Sequence, residues 1–251
     1  MGTPFEGLIP ARTTGHTRWF LEQMDRRRGV ALQVPGGYEA YVRVMHTLQT
    51  GERWSAVAPQ YLASGDDDYV YPFPNALESA HGDMGSDVVD AITPVLAAAT
   101  STPDCHFALW YGWGELNRGG GPHSVVAGRG PVGRFRTRRL RRAAARDLDD
   151  LYAPVYAFVA ACAVYRWWGG RGMLLFDGPI DAVRSIGTPS PFGDHPLDRR
   201  SPQWWWPEDQ AWFVGNEIDD PWSYVAGSEA LITGLEETGI ECVRIRHSAR
   251  W

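Results

Sequence analysis

The sequence predicts an α+β fold: a mixed or antiparallel sheet with flanking helices, in one globular domain. Three observations carry this. Strand-like and helix-like segments mix without a regular strand–helix–strand rhythm, which argues against a wound parallel sheet. A chain of 251 residues suits one large domain, and it shows no internal repeat. The C-terminal part reads as short strands followed by a capped helix and a closing strand that alternates apolar and charged residues.

Taken in order, Thr17–Arg27 has a helical pattern. Val30–Gln33 reads as a short strand, and a Pro35-Gly36-Gly37 turn leads from it into a helix. Tyr38, Tyr41, Val42 and Met45 fall at the spacing of that helix's buried stripe. Tyr61–Asp83 is rich in turn residues and reads as a loop. Asp87–Ala99 reads as a helix; Pro94 either kinks it or opens it near Thr93. His106–Gly114 is an aromatic strand. Residues 118–168 read as a glycine- and arginine-rich loop followed by a helix from Arg138 to about Trp168, broken or kinked near Pro154. Arg171–Val183 is a strand ending in an Asp-Gly-Pro turn, and Ile186–Gln203 is loop. Ala211–Asp219 and Trp222–Gly227 are strands joined through Asp219-Asp220-Pro221. Ser228 caps a helix that Gly239 stops, and Ile240–Arg246 is the closing strand.

Composition excludes several chemistries. The formal charge of −6 argues against a generally nucleic-acid-binding surface, which needs a basic face. All 24 basic residues are arginine, so no lysine Schiff base or phosphate-loop lysine can exist. Cys105, Cys162 and Cys242 form no C-x-x-C pair and read as free, buried thiols in a reducing compartment. The N-terminus has no apolar run of signal-peptide length, and the longest apolar stretch, Leu151–Tyr165, is shorter than the ~20 residues a helical span requires. The expectation is a cytoplasmic protein with no membrane span.

The motifs are weak. Gly128–Gly133 spells G-x-G-x-x-G, but Pro131 removes one of the amides a pyrophosphate would use. Arg134, Arg136, Arg138, Arg139, Arg141 and Arg142 form a basic patch, balanced by Asp147, Asp149 and Asp150, so nucleic acid is a minor expectation. No metal motif is spelled out: the histidines scatter, and Asp66–Asp68 lies outside calcium-loop spacing, so neither metal nor cofactor is expected. No nucleophile motif of the G-x-S-x-G type exists. The remaining enzymatic option is a carboxylate pair, Glu115 with Glu217 or Asp219, as glycosidase-type hydrolysis uses.

The densest feature is Ser201–Leu235, with five tryptophans and six acidic residues. Trp204, Trp205 and Trp206 are consecutive and cannot all point one way in a strand or a helix. Their indoles either belong to a core or line an aromatic and acidic binding groove with Glu217, Asp219, Trp222 and Tyr224.

The W-W-P-E-D-x-A-W pattern of Trp205, Trp206, Pro207, Glu208, Asp209, Ala211 and Trp212 leads into Glu217, Ile218, Asp219, Tyr224, Val225, Gly227 and Ser228. Together these residues resemble an actinobacterial protein family without an established activity. Tyr38–His46, Thr102–Gly114 and Leu174–Pro179 echo it more weakly. The resemblance implies a cytoplasmic single-domain protein in which residues 118–168 are an insertion, and no particular reaction. The stretch V-P-G-G-Y-E-A-Y-V-R-V-M-H also resembles the SUKH-type immunity proteins, which implies a toxin-like protein partner. The functional expectation is a binding protein for a protein or small-molecule ligand, immunity-like in character. Its alternatives are a carboxylate-pair hydrolase and a nucleic-acid binder.

Overall fold

The computed structural model describes residues 3–24, 29–62, 82–116, 134–167, 170–190 and 195–249, with 134–146 described as helical backbone only. In chain order, β1 is Ile9–Pro10, α1 Arg18–Leu21, α2 Val30–Gln33, β2 Ala40–Met45, α3 Trp54–Val57, α4 Ser86–Ala98 and β3 Asp104–Trp110. Then follow α5 Arg134–Ala161, β4 Ala163–Arg166, β5 Gly172–Pro179, β6 Gly187–Pro189, β7 Leu197–Arg199 and β8 Trp204–Pro207. The chain closes with β9 Phe213–Asn216, β10 Trp222–Gly227, α6 Glu229–Glu237 and β11 Cys242–Arg244.

The fold is α+β, built on a nine-stranded sheet in the order β1-β5-β3-β8-β9-β10-β2-β11, with β4 also pairing β5. The ladders of the described strands are antiparallel. Both faces are buried. On one, Val42, Val44, Phe107, Leu174, Trp205, Val214 and Val225 pack under α4, α5 and α6. On the other, Leu175, Trp204, Trp206, Phe213 and Trp222 pack under the short N-terminal helices through Phe20, Val30 and Trp54.

This two-sided burial explains the main departure from the sequence reading. The stretch from Tyr38 is a strand, not a helix: β2 pairs with β10 along six residues and with β11 on its other edge. All six β2 side chains are buried, so the strand shows no polar–apolar alternation, and its apolar residues also satisfy a helical spacing. Val30–Gln33, read as a strand, is a single helical turn. Ile186–Gln203, read as loop, contains the β6–β7 hairpin.

Neither Pro94 nor Pro154 ends its helix. α4 runs unbroken across Pro94, and α5 across Pro154, before the chain turns at Cys162 into β4. α6 follows expectation, with the Ser228 hydroxyl accepting from the Leu231 amide at 3.2 Å. Among the described residues, no helix is long and apolar enough to cross a membrane. The glycine motif at 128–133, Asp66–Asp68 and the loop part of the 118–168 insertion lie outside the described residues. Arg134, Arg136, Arg138, Arg139, Arg141 and Arg142 fall on α5, their side chains outside the description.

Candidate functional site

The predicted groove does not exist as an open surface. Trp204, Trp205, Trp206, Trp222 and Tyr224 are each at most 1% exposed. The reason is the period of a strand: β8 sends Trp205 to one face and Trp204 and Trp206 to the other, and both faces are core. Trp222 is covered by the Arg43 guanidinium, 4.6 Å from its ring centre.

The predicted carboxylates are engaged by arginines. Glu115 accepts from Arg200 at 2.7 Å, and Arg200 also reaches Asp83 at 3.1 Å while lying over the Trp113 ring. Glu217 and Asp219 both pair with Arg171. Each carboxylate therefore faces a guanidinium rather than a second carboxylate across a cleft, which is not the arrangement that paired-acid hydrolysis uses. Burial pushes the Cys105 and Cys162 thiols up to about 12 and Cys242 to about 11, so none is a ready nucleophile. A Ser–His pair does form, His46 Nε2 to Ser223 Oγ at 2.8 Å, but both residues are fully buried and the contact ties β2 to β10.

The polar centre that the fold does assemble lies at the other end of β3. Register places His106 opposite Asp177 on β5 and opposite Trp206 on β8, so the three side chains form one row across three strands. Glu208 follows the end of β8, its amide bonded to the Asp104 carbonyl at 3.1 Å. His106 holds both carboxylates, Nδ1 to Asp177 at 2.6 Å and Nε2 to Glu208 at 2.6 Å. Carboxylates only accept, so a ring that bonds to both must donate from both nitrogens and is an imidazolium. Burial pulls the His106 pKa down, but the bonds to Asp177 and Glu208 outweigh it and the net shift is upward.

His16 stacks on this ring, with centroids 4.8 Å apart and planes 16° from parallel. It comes from the turn Gly15–Thr17, pinned by the Thr17 hydroxyl donating to the Thr14 carbonyl at 2.8 Å. One helical turn later Phe20 enters an aromatic cage of Trp204, Trp206 and Phe213, with centroids 4.9 to 5.4 Å away. The tryptophan-rich core thus acts at one remove: it fixes the two segments that carry the imidazoles. His16 has its pKa lowered, by burial first and also by the neighbouring His106. Its Nε2 is shielded from solvent and has no hydrogen-bond partner among the described residues.

The charge balance sets this cluster apart. Asp83, Asp90, Glu115, Glu217, Asp219, Glu229 and Glu236 each pair with arginine. Among the described residues the bonds of Asp177 and Glu208 are to His106 alone, which leaves two carboxylates against one imidazolium. The Glu208 side chain is 66% exposed and that of Asp177 38%, so the centre opens to solvent. Sequence reasoning missed it because its members are far apart in the chain and only strand register brings three of them together. No family model matches the chain, and no curated protein or solved structure matches it. Fold and site therefore describe an α+β protein with an exposed imidazole–carboxylate centre on an aromatic floor.

Proposed function

We propose that the protein works by binding, and that its binding centre is the cluster of His16, His106, Asp177 and Glu208 rather than a tryptophan groove. The observation that carries this reading is the excess of acceptors: two carboxylates and a partnerless imidazole nitrogen meet a single positive charge. Such a site favours a cationic ligand, whether a metal ion or the ammonium or guanidinium head of a larger partner. A basic partner also suits a chain of net charge −6, whose long-range field draws cations. We place the protein in the cytoplasm on the strength of its three free cysteines.

The test is a ligand titration followed by the ring resonances of the histidines. Arginine- and lysine-containing peptides and divalent cations should shift His106 and His16, and Glu208→Gln should weaken every such response. If no cation moves these resonances at millimolar concentration, the reading fails.

A further inference from the structure

We propose that His16, His106 and Asp177 form a site for one divalent transition-metal ion of the zinc class, oriented by Glu208; this rests on the reading of the cluster as a cation-binding centre. Ligand atoms of the three residues all lie within 4.8 Å of one another. Two zinc-bound donors, each roughly 2.1 Å from the ion in a tetrahedron, sit about 3.4 Å apart, so the cluster needs only small side-chain rotations to close on a metal. An ammonium or guanidinium would be served by carboxylates alone. The two imidazoles are what select a transition metal over magnesium or calcium, which prefer all-oxygen shells.

The partnerless His16 nitrogen is the second observation. A ring nitrogen shielded from water ordinarily finds a hydrogen-bond partner, and this one faces none among the described residues. A metal ion supplies what it lacks. The stacking holds the His16 ring beside the His106 ring with planes 16° from parallel, and a tilt of one ring brings both in-plane lone pairs onto one ion.

The exchange at His106 is simple to write. Its Nδ1 proton, now held by Asp177 at 2.6 Å, leaves to solvent. The freed lone pair and an Asp177 oxygen then take the ion together with His16. Glu208 stays on Nε2, at 2.6 Å, where it fixes the ring as a carboxylate does behind many metal-bound histidines. Three protein ligands leave one tetrahedral position open to water or a further ligand. Glu208 is a positioning residue in this scheme.

Calorimetry on the full chain, stripped with chelator and titrated with zinc chloride or magnesium chloride, tests the assignment. The expected result is one zinc per chain, with magnesium at least 100-fold weaker. His16→Ala and Asp177→Asn should each weaken zinc at least 100-fold while circular dichroism stays unchanged. Glu208→Gln should weaken it about 10-fold, as loss of an orienting carboxylate does. Zinc affinity unchanged in both His16→Ala and Asp177→Asn overturns the site, since it would place the metal elsewhere, for example on the cysteines. Absence of zinc binding also overturns it. In that event an arginine-peptide titration separates the two levels: a shift of the His106 resonances that Glu208→Gln abolishes leaves the cation-binding reading standing, and no shift removes both.

Discussion

His106 and Asp177 stand directly opposite each other on β3 and β5, with 2.6 Å between Nδ1 and the carboxylate. A cross-strand pair of this kind is both a structural bond and a titrating switch. The folded chain holds the His106 proton more tightly than the unfolded chain does, because Asp177 and Glu208 accept from it. The stabilisation is therefore full below the unfolded histidine pKa of ~6.5 and is lost as pH rises through the higher folded value. In chelator-containing buffer, wild-type stability should fall across that window by about 1–2 kcal/mol, a charge-assisted hydrogen bond reduced by solvent screening of the exposed carboxylates. His106→Gln should flatten the fall. Urea melts at several pH values between 5 and 9 check both.

Trp205 and Trp212 sit 5.6 Å apart on the same buried face, yet their indole nitrogens differ. Trp212 Nε1 donates to the Leu96 carbonyl at 2.9 Å, whereas Trp205 Nε1 has no partner among the described residues. Either residue changed to Ala should cost about 3–5 kcal/mol through the cavity left behind. The phenylalanine variants should separate. Trp212→Phe loses the bond to the Leu96 carbonyl, which keeps the Ala99 amide as a donor at 3.1 Å, and should cost about 1 kcal/mol more than Trp205→Phe, which loses no hydrogen bond. Equal costs in chemical denaturation would contradict the assignment of that bond.

Asp209 ties the end of α4 to the turn after β8. It accepts from the Ser101 amide and hydroxyl and the Thr100 hydroxyl, each at 2.7 Å. Burial raises its pKa, but the Ser101 and Thr100 bonds outweigh that and bring it down to about 2. A depressed carboxylate stabilises above its unfolded pKa of ~3.9, and that stability disappears as pH falls toward the folded value. Because the group is largely exposed, screening cuts the effect to about 1 kcal/mol. Asp209→Asn should lower the melting temperature at pH 7 and leave it little changed at pH 2, as read by calorimetry.

How far these relationships were legible in the sequence depends on what each element buries. α6 was readable because Ser228 caps it, Gly239 stops it, and only one of its faces is apolar. β2 was not, because Ala40–Met45 is buried on both faces and carries no alternation to read. The β6–β7 hairpin was hidden by its prolines, Pro189 sitting in a strand that pairs on one edge. The tryptophan run was legible as indoles that must point different ways, but not as buried on both sides, since that depends on helices far away in sequence. The histidine cluster could not be read at all. His16 is brought to His106 by the docking of Phe20, and Asp177 by a register no local pattern reveals.

Asp220 offers the sharpest pH test at the opposite end of the sheet. It sits in the turn between β9 and β10, half-buried, with its amide donating to the Glu217 carbonyl at 3.0 Å and its carbonyl accepting from Gly82 at 3.0 Å. Burial, with the neighbouring Asp219 charge behind it, pushes its carboxyl up to about 7. The sign is opposite to that of Asp209. Between the unfolded value of ~3.9 and about 7 the folded chain binds the extra proton, so stability falls as pH rises across that interval. Asp220→Asn keeps both backbone bonds and removes the charge that must be buried. It should leave stability near unchanged at pH 4 and raise it by about 1–2 kcal/mol at pH 8, after discounting for partial exposure. Melting curves at the two pH values decide the matter. An equal shift at both would mean that the Asp220 carboxyl is already ionised at pH 4, and that its neighbours Arg171 and Arg43 outweigh burial and the Asp219 charge.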